Sequence, residues 1–403
     1  MALYAYQPRI FSRSSLLLYL VSSLYSSCLL LVWSGVIPLP LLGNSHRGWL
    51  GVQAFHYSPL DSSRLVAIAD VHGDVRVAMR ALTTAKIVDE HAHWIAGDTT
   101  LVQTGDLVDR GNASLAVLEL FARLEEEAPL HGGRVVPLLG NHEWLCLSSD
   151  YRYASKHELA WLGENVPSGK ASDVRPAVSR WLDNFLRLYA GGANLDVLDR
   201  VYTEEERPKL NNIIRQGADI WMDIFGSGGP YAQLLSSRRI ATVEGKGKCR
   251  TLFVHAGLPE SVVPKLYGTV DALNEAGGAM LKYHAAPRGA KPDAPSKDAK
   301  RIITGNDGPL WIRSWAMDRA ARVCPAIETV VEESQVRRAV VGHTVQEEVT
   351  EKCHGHLTLL DVGMSDAYNP GGKPTVWECE DGQVRIVTPS GRKNFGSRHD
   401  DEL

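Results

Sequence analysis

The chain has 403 residues, and its 43 Lys and Arg against 47 Asp and Glu give a net charge of -4. This near balance excludes the strong general attraction to polyanions that many nucleic-acid-binding proteins use, so we expect no nucleic-acid partner. Hydrophobic residues make up 44% of the chain and charged residues 22%, as is ordinary for a globular protein with a packed core.

The N-terminal segment differs in composition from the rest of the chain. The first 60 residues contain no Asp or Glu, and Arg9 and Arg13 precede an uncharged stretch that is most apolar over Leu16–Ile37. That stretch is long enough to cross a bilayer, and positive charge before it is typical of a secretory signal. We therefore predict a signal peptide or signal anchor over residues 1–45, and the second of these would be an N-terminal membrane anchor. The alternative is an organellar transit peptide.

Strand-like runs follow in chain order, and five of them end in a polar motif. The runs cover Arg64–Ala69, Thr99–Thr104, Arg134–Leu139, Arg250–Val254, Arg338–Val341 and Leu357–Leu360. Short β-rich runs bounded by Gly are typical of buried strands, and helical patterns over Val75–Ala85 and Ser114–Glu126 separate some of them. This alternation predicts an α/β domain over residues 60–390, with its ligands beyond the carboxyl ends of the strands.

The segment 144–248 changes character and predicts a mainly helical insertion, because strand signals are absent there until about Ile240. Further along, Pro287–Lys300 has the Pro, Ala and Lys content of a flexible loop. The turn residues within Thr375–Thr388 predict a hairpin. Residues 391–403 are expected to form a flexible tail.

The five motifs carry the residues that predict chemistry. They are Asp70-Val71-His72-Gly73-Asp74, Gly105-Asp106-Leu107-Val108-Asp109-Arg110-Gly111, Gly140-Asn141-His142-Glu143, Val254-His255-Ala256-Gly257 and Gly342-His343-Thr344. Carboxylate, amide and imidazole donors in this mixture suit two divalent cations in a hydrolase of phosphate esters. We predict that one metal binds Asp70, His72 and Asp106. The other would bind Asp106, Asn141, His255 and His343.

Four further residues are candidates for the catalytic chemistry. His142 is free to donate a proton to the leaving group, and Asp109 is its natural partner to orient it and to raise its pKa. Arg110 offers a planar fork to phosphate oxygens. Arg313, within Gly308-Pro309-Leu310-Trp311-Ile312-Arg313, is a second candidate clamp, with packing or an ion pair as the alternative.

These motifs resemble those of the phosphoprotein phosphatase family of metallophosphoesterases, over roughly Arg64 to Thr388. Val341-Gly342-His343-Thr344, Asp361-Val362-Gly363-Met364-Ser365 and the Gly308 to Arg313 segment are most similar to its Shewanella-like branch. The resemblance implies an α/β sandwich of two mixed β-sheets flanked by helices. It also implies a centre of two divalent metal ions, with Mn expected and Fe or Zn as alternatives.

The hypothesis is therefore a metal-dependent phosphoprotein phosphatase. A metal-bridged hydroxide would attack a phosphomonoester directly, and the substrate would be a phosphoprotein or phosphopeptide. The resemblance does not extend to the Ser-Ala-Pro-Asn-Tyr segment of the usual eukaryotic members, so regulatory subunits stay unknown. One alternative is a nucleotide or dinucleotide pyrophosphohydrolase, similar to diadenosine-tetraphosphate hydrolases. The other is a metal-bound scaffold with little activity.

The chain ends predict where this enzyme works. The last four residues, Asp400-Asp401-Glu402-Leu403, differ by one residue from the retrieval signals of the endoplasmic reticulum. With an N-terminal signal, they predict the lumen or the lumen-facing membrane of that compartment, with the mitochondrion as the alternative. The sequon at Asn112 argues against the lumen, because a glycan there would obstruct the site.

The cysteines leave the compartment open. Cys353 and Cys379 flank predicted neighbouring strands and are a candidate pair, but most of the six cysteines are expected to be small buried apolar residues.

Overall fold

The computed structural model describes residues 64–166, 168–193, 207–258, 270–290 and 292–396. Within these ranges, no helix combines the length and the hydropathy needed to span a membrane. The predicted N-terminal signal and the retrieval-like C-terminus lie outside the described residues.

Short strands and helices alternate along the chain. The strands are β1 (Arg64–Ile68), β2 (Thr100–Gln103), β3 (Arg134–Pro137), β4 (Ala241–Glu244), β5 (Thr251–Val254), β6 (Arg338–Val341), β7 (Thr350–Lys352), β8 (Leu357–Leu359), β9 (Val376–Glu380), β10 (Gln383–Thr388) and β11 (Gly391–Asn394). The α-helices are α1 (Val75–Thr84), α2 (Ser114–Glu127), α3 (Asn141–Leu147), α4 (Lys156–Asn165), α5 (Val174–Ala190), α6 (Arg207–Phe225), α7 (Pro230–Leu235), α8 (Val270–Ala285), α9 (Lys297–Thr304), α10 (Ser314–Met317) and α11 (Ala320–Glu333).

These strands form two mixed sheets. The first has the order β11-β10-β9-β1-β2-β3, and β1 pairs in parallel with β2 but antiparallel with β9. The second has the order β4-β5-β6-β8-β7, with a parallel centre of β5, β6 and β8 and an antiparallel strand at each edge. The predicted α/β class with two mixed sheets is confirmed.

The pattern of β1 explains why the sheets stack as a sandwich. Leu65 and Ala67 point into a cluster that also contains residues of the second sheet, whereas Val66 and Ile68 point into the cluster that the helices cover. Successive side chains of a strand face opposite sides, so a strand buried on both faces is apolar throughout.

A disulfide links the two sheets. Cys249, just before β5, is bonded to Cys379 in β9, and a second disulfide joins Cys324 in α11 to Cys353 after β7. The expected pairing of Cys353 with Cys379 is therefore wrong, and so is the expectation that most cysteines are unpaired apolar residues. Proximity along the chain was a poor guide because both bonds join separate layers of the fold. Cys146 is buried and free.

Within the described residues of the segment 144–248, helices precede β4, which begins near its end. Helices α4 and α6 approach closely, and glycine makes this possible. A Cβ at Gly217 would lie 1.7 Å from the carbonyl oxygen of Leu159, and one at Gly163 would lie 2.2 Å from that of Ile213. Any larger residue at these two positions would separate the helices.

Two other local predictions were wrong in part. The expected loop Pro287–Lys300 contains the start of α9 at Lys297, where the side chain of Ser296 accepts a hydrogen bond from the Ala299 amide as an N-cap. The expected flexible tail contains β11, which pairs with β10 although all its residues are exposed. Backbone pairing forms this edge strand, so its polar composition gave no signal.

Candidate active site

The predicted ligands directly follow five strands and lie close together at the ends of those strands. Asp70 and His72 follow β1, and the next ligands follow β2, β3, β5 and β6 in the order Asp106, Asn141, His255 and His343. The carboxyl ends of parallel strands meet at one edge of a sheet, and here the edges of two stacked sheets meet. All six ligand side chains are buried.

Asp106 lies between the two groups of donors. One of its carboxylate oxygens is 3.7 Å from Nε2 of His72, and the other is 3.5 Å from Nε2 of His255. Asp70 lies 3.9 Å from His72, and Oδ1 of Asn141 lies 2.9 Å from Nε2 of His255. Asp106 can therefore bridge two cations, as the sequence analysis predicts.

Two clusters of metal-ligand atoms are present among the described residues. One joins His72, Asp106 and His142, and the other joins Asp106, His255 and His343, with the ligand atoms of each cluster within 4.8 Å of one another. His142 was expected to be an acid rather than a ligand, and its ring stands nearly perpendicular to that of His72.

Backbone carbonyls orient the three predicted histidine ligands. Nδ1 of His72 is 3.1 Å from the Val108 oxygen, and Nδ1 of His255 is 2.9 Å from the Thr104 oxygen. A carbonyl only accepts hydrogen bonds, so these nitrogens donate, and Nε2 of each ring faces Asp106. His343 is reversed, because its Nε2 donates to a backbone oxygen 3.2 Å away, that of Trp311, which leaves Nδ1 for a metal.

The buried charge around Asp106 fits a pair of cations. Burial raises the pKa of Asp70 well above its usual value, and the neighbouring Asp361 and Asp106 raise it further. Burial likewise raises the pKa of Asp361 to about 7. Although burial opposes the change, His255 and His142 hold the pKa of Asp106 below its usual range. Closely packed carboxylates with oxygen and imidazole donors suit divalent cations.

Glu143 fixes the turn that carries Asp106. Its carboxylate accepts hydrogen bonds from the backbone amides of Asp106, Leu107 and Gly140 at 2.9, 2.6 and 2.8 Å. Burial raises the pKa of Glu143 to about 7. Sequence reasoning assigned no role to this residue, and the only signal was its place in the third motif.

His142 and Asp109 form the expected pair. Nδ1 of His142 lies 2.7 Å from Oδ2 of Asp109, and Nε2 of His142 lies 4.0 Å from Asp106. Burial would lower the pKa of His142, but Asp106 and the hydrogen bond to Asp109 raise it above its usual value. The hydrogen bond to Asp109 turns Nδ1 away from the metal ligands, and Nε2 faces them.

Arg110 is held by two tyrosine rings. Its guanidinium lies 4.8 Å from the ring centre of Tyr153 and 5.3 Å from that of Tyr368. The backbone amide of Arg110 also donates a hydrogen bond to the backbone carbonyl oxygen of Tyr153 at 2.8 Å. Stacking on aromatic faces fixes the plane of the guanidinium fork. Sequence reasoning missed Tyr153, which lies ten residues beyond the third motif without a pattern of its own.

Arg313 lies at the edge of the same site. Its guanidinium donates to the backbone oxygen of His343 at 3.2 Å and to the hydroxyl of Thr344 at 3.1 Å. Arg313 is held by the loop that carries a predicted metal ligand, and it forms no ion pair within the described ranges. This position suits the expected clamp, whose role stays a prediction.

Five of the ten predicted site residues adopt a backbone conformation that non-glycine residues rarely take. The φ angles are 45° at His72, 58° at Asp106, 69° at Asp109, 70° at Arg110 and 68° at His343. Strand β1 ends at Ile68, and a turn rather than an extended segment brings the side chains of Asp70 and His72 together. Such strain persists where the surrounding structure imposes it, commonly at functional sites.

Comparisons with known proteins agree with this geometry. The model of the calcineurin-like phosphoesterase family matches residues 63–347. An uncharacterised protein of Schizosaccharomyces pombe is 31% identical over 75% of this chain and 73% of its own. The Shewanella-like protein phosphatase 2 of Arabidopsis thaliana is 27% identical over 81% of this chain and 77% of its own. These relatives confirm the expected resemblance to the Shewanella-like branch.

The solved structures include a similar fold. The cold-active protein-tyrosine phosphatase of a psychrophilic Shewanella species superposes with a TM-score of 0.53, covering 83% of this chain and 80% of its own at 22% identity. Residues 63–347, which match the family model, contain every motif that builds the site. The chain belongs to the calcineurin-like phosphoesterase family.

Proposed function

We propose that this protein is a phosphoprotein phosphatase that hydrolyses phosphomonoesters with two divalent metal ions. The observation that carries the proposal is the His142–Asp109 pair beside Asp106, which places an oriented imidazole proton donor against the group of metal ligands. A phosphomonoesterase needs this donor because an alkoxide or phenoxide must be protonated as it leaves. The names of the phosphatase relatives support the same assignment.

Different residues of this chain would bind the metals and the phosphate. Bound divalent metals would supply Lewis-acid activation of water and would neutralise charge on the phosphate. Asp70, His72 and Asp106 would hold one metal. Asp106, Asn141, His255 and His343 would hold the other. Arg110 would bind phosphate oxygens through its planar fork, and Arg313 would do so from the opposite loop.

His142 would complete the reaction. Its Nε2 proton moves to the oxygen that leaves phosphorus, while its Nδ1 proton stays hydrogen-bonded to Asp109. The carboxylate of Asp109 then stabilises and orients the ring without taking its proton. This chemistry needs no phosphorylated enzyme intermediate, because water is the direct nucleophile.

Manganese is the metal we propose first, with iron or zinc as alternatives. The set combines hard carboxylate and amide oxygens with imidazoles and contains no thiolate, which suits Mn²⁺ as well as its first-row neighbours. Metal analysis of the protein purified without added metal, followed by reconstitution with each ion, would identify the most active form.

A panel of substrates tests the function. Residues 46–403, loaded with Mn²⁺, should release phosphate from phosphopeptides faster than they cleave diadenosine tetraphosphate. Preference for the dinucleotide would support the pyrophosphohydrolase alternative. Lack of turnover on a broad phosphoester panel, with metal loading verified, would instead support a binding scaffold. Full activity in metal-free protein would contradict both enzyme hypotheses.

We further propose that the enzyme works in the lumen of the endoplasmic reticulum. The disulfides Cys249–Cys379 and Cys324–Cys353 support an oxidising compartment, which is consistent with the predicted N-terminal signal and the retrieval-like terminus. Asn112 is exposed and its side chain accepts a hydrogen bond from Ser155. A lumenal enzyme that keeps its site open would leave this sequon without a glycan.

Deletion of residues 400–403 tests this location. The truncated chain should be secreted or move onward from the endoplasmic reticulum, whereas the full chain is retained. Treatment with an endoglycosidase should leave the mass of the retained protein unchanged. Import of the full precursor into isolated mitochondria would contradict the proposal and support the transit peptide.

A further inference from the structure

A cleft of about 810 Å³ opens beside the candidate active site. Its lining begins at Arg110, Gly111 and Asn112 and continues between α1 on one side and α4 and α5 on the other. The cleft is therefore continuous with the position where Arg110 would hold the phosphate. None of the catalytic roles derived above uses the part of it that lies between the helices.

An aromatic ladder of Trp181, Phe185 and Tyr189 forms one wall. The rings follow each other at 5.7 and 6.0 Å between centres and are nearly parallel, at 10° and 28°. Residues four apart share one face of a helix, so this ladder is a continuous stripe along α5. Trp161 of α4 lines the cleft beside it. Both tryptophans and Tyr189 are only half-buried, and a contiguous exposed apolar patch of this kind is typical of a binding groove.

The opposite wall is polar. Arg80 of α1 is exposed and donates a hydrogen bond to the Gly371 oxygen, and the carboxylate of Glu164 lies on the other rim. Donors and acceptors around an apolar floor, where Leu115 and Ala116 lie, suit the alternating polar groups of a polypeptide backbone.

The length of the ladder sets the size of its occupant. Eight residues of α-helix separate Trp181 from Tyr189, which corresponds to about 12 Å at 1.5 Å per residue. An extended peptide advances about 3.3 Å per residue, so roughly four of its residues would span the ladder. Side chains two apart would face the rings together, whereas one nucleobase would cover a single ring.

We propose that this cleft binds the substrate polypeptide on one side of the phosphorylated residue and selects an aromatic or long aliphatic side chain within about four positions of it. The proposal rests on the phosphatase function, because the phosphate at Arg110 is what brings the peptide to the cleft. It adds a sequence preference that the metal ligands and His142 do not provide.

A set of phosphopeptides tests the preference in the unmodified protein. The peptides are identical except that Phe replaces Ala at one position, from four residues before to four residues after the phosphorylated residue. We expect kcat/KM to rise about tenfold for Phe on one side only, the scale of an apolar side chain entering a pocket. Equal values throughout would overturn the proposal, while peptide turnover would still support the phosphatase function.

Variants locate the preference in the cleft. In Trp181→Ala the ratio of kcat/KM for the Phe peptide over the Ala peptide should fall to near one, and in Trp161→Ala it should fall by several fold. Tyr283→Ala is the matched control, because Tyr283 is an exposed aromatic residue on α8 and does not line the cleft. A ratio unchanged in both tryptophan variants would overturn the assignment.

Other results separate the two proposals. If Trp181→Ala fails to give a cooperative melting transition, Trp161→Ala and the unmodified protein still decide the result. If kcat/KM depends on the base of nucleoside phosphates but not on the peptide flank, the cleft binds nucleotides and the peptide proposal is wrong. If no phosphopeptide is hydrolysed at all, the phosphatase function itself fails.

Discussion

Nδ1 of His142 donates a hydrogen bond to Asp109 over 2.7 Å, and both side chains are buried beside the bridging ligand Asp106. This arrangement fixes which nitrogen of the ring faces the substrate. Since Asp109 occupies Nδ1, only the Nε2 proton is available to a leaving group. The pair therefore separates proton donation from metal binding.

Replacing His142 tests that separation. His142→Ala should lower kcat by a factor of about 10² to 10⁴, the range of general acid catalysis, and should retain the bound metal. The loss should be larger for phenyl phosphate than for 4-nitrophenyl phosphate, because the nitrophenolate leaves readily without a proton. Steady-state kinetics with both esters and metal analysis provide the measurement. His131→Ala, at an exposed histidine, is the control, and an equal loss for both esters would contradict the acid role.

Replacing Asp106 should have the opposite effect on metal binding. Asp106→Asn should lose bound metal together with nearly all activity, because this carboxylate stands between both groups of donors. Metal content per protein and kcat are measured on the same preparation. Asp183→Asn, at an exposed carboxylate on α5, should change neither. Retention of both metals with lost activity would show that Asp106 is not a bridging ligand.

The aromatic support of Arg110 predicts a binding effect. Arg110→Lys keeps the positive charge but loses the planar fork and its stacking, so we expect KM for a phosphopeptide to rise about tenfold. Tyr153→Leu should raise it less, because it frees one face of the guanidinium. The inhibition constant of inorganic phosphate should rise together with KM in both variants. Arg152→Lys, at an exposed neighbour, is the control, and an unchanged constant in Arg110→Lys would remove Arg110 from the phosphate site.

The sequence predicted the fold class and the set of strand-end ligands because both depend on local patterns. Buried runs such as Val66–Ile68 are apolar on both faces, and the chemistry of Asp106 or His255 is explicit in its motif. The path of the chain between the motifs could be predicted less well from the sequence. The positive φ of His72 follows from a turn that packing imposes, and the residue type at this position does not predict it.

Contacts between distant segments account for the remaining errors. The partner of Cys379 is 130 residues away, so strand order along the chain could not identify it. Tyr153, in the loop between α3 and α4, contacts Arg110 of the second motif, and edge strand β11 is formed by pairing with β10. Each of these features is a consequence of tertiary packing rather than of composition.

Glu158 predicts a dependence of stability on pH. Burial raises its pKa from 4.5 to about 7, although one oxygen accepts a hydrogen bond from the Leu115 amide. The folded state holds this proton more tightly than the unfolded state. The contribution of Glu158 to the free energy of unfolding is therefore fully present below pH 4.5 and is lost as the pH rises to about 7. The loss is on the order of 3 kcal/mol.

Glu158→Gln removes that titration. The free energy of unfolding of the metal-loaded variant, from urea denaturation between pH 5 and 8, should fall less with pH than that of the unmodified protein. Glu90→Gln, at an exposed position, should leave the slope unchanged. Parallel slopes in the unmodified protein and Glu158→Gln would show that Glu158 is ionised in the folded state throughout this range.

The two disulfides should differ in their contribution to stability. Cys249 and Cys379 are separated by 130 residues, but Cys324 and Cys353 by only 29. In the chain-entropy description, the longer loop restricts the unfolded state more, by about 1 kcal/mol between these lengths. Replacing the Cys249–Cys379 pair by Ala should therefore lower the free energy of unfolding more than replacing the other pair. Denaturation of both double variants, with the oxidised unmodified protein as reference, measures this difference. A larger loss for Cys324–Cys353 would mean that native contacts around α11, rather than loop closure, dominate its effect.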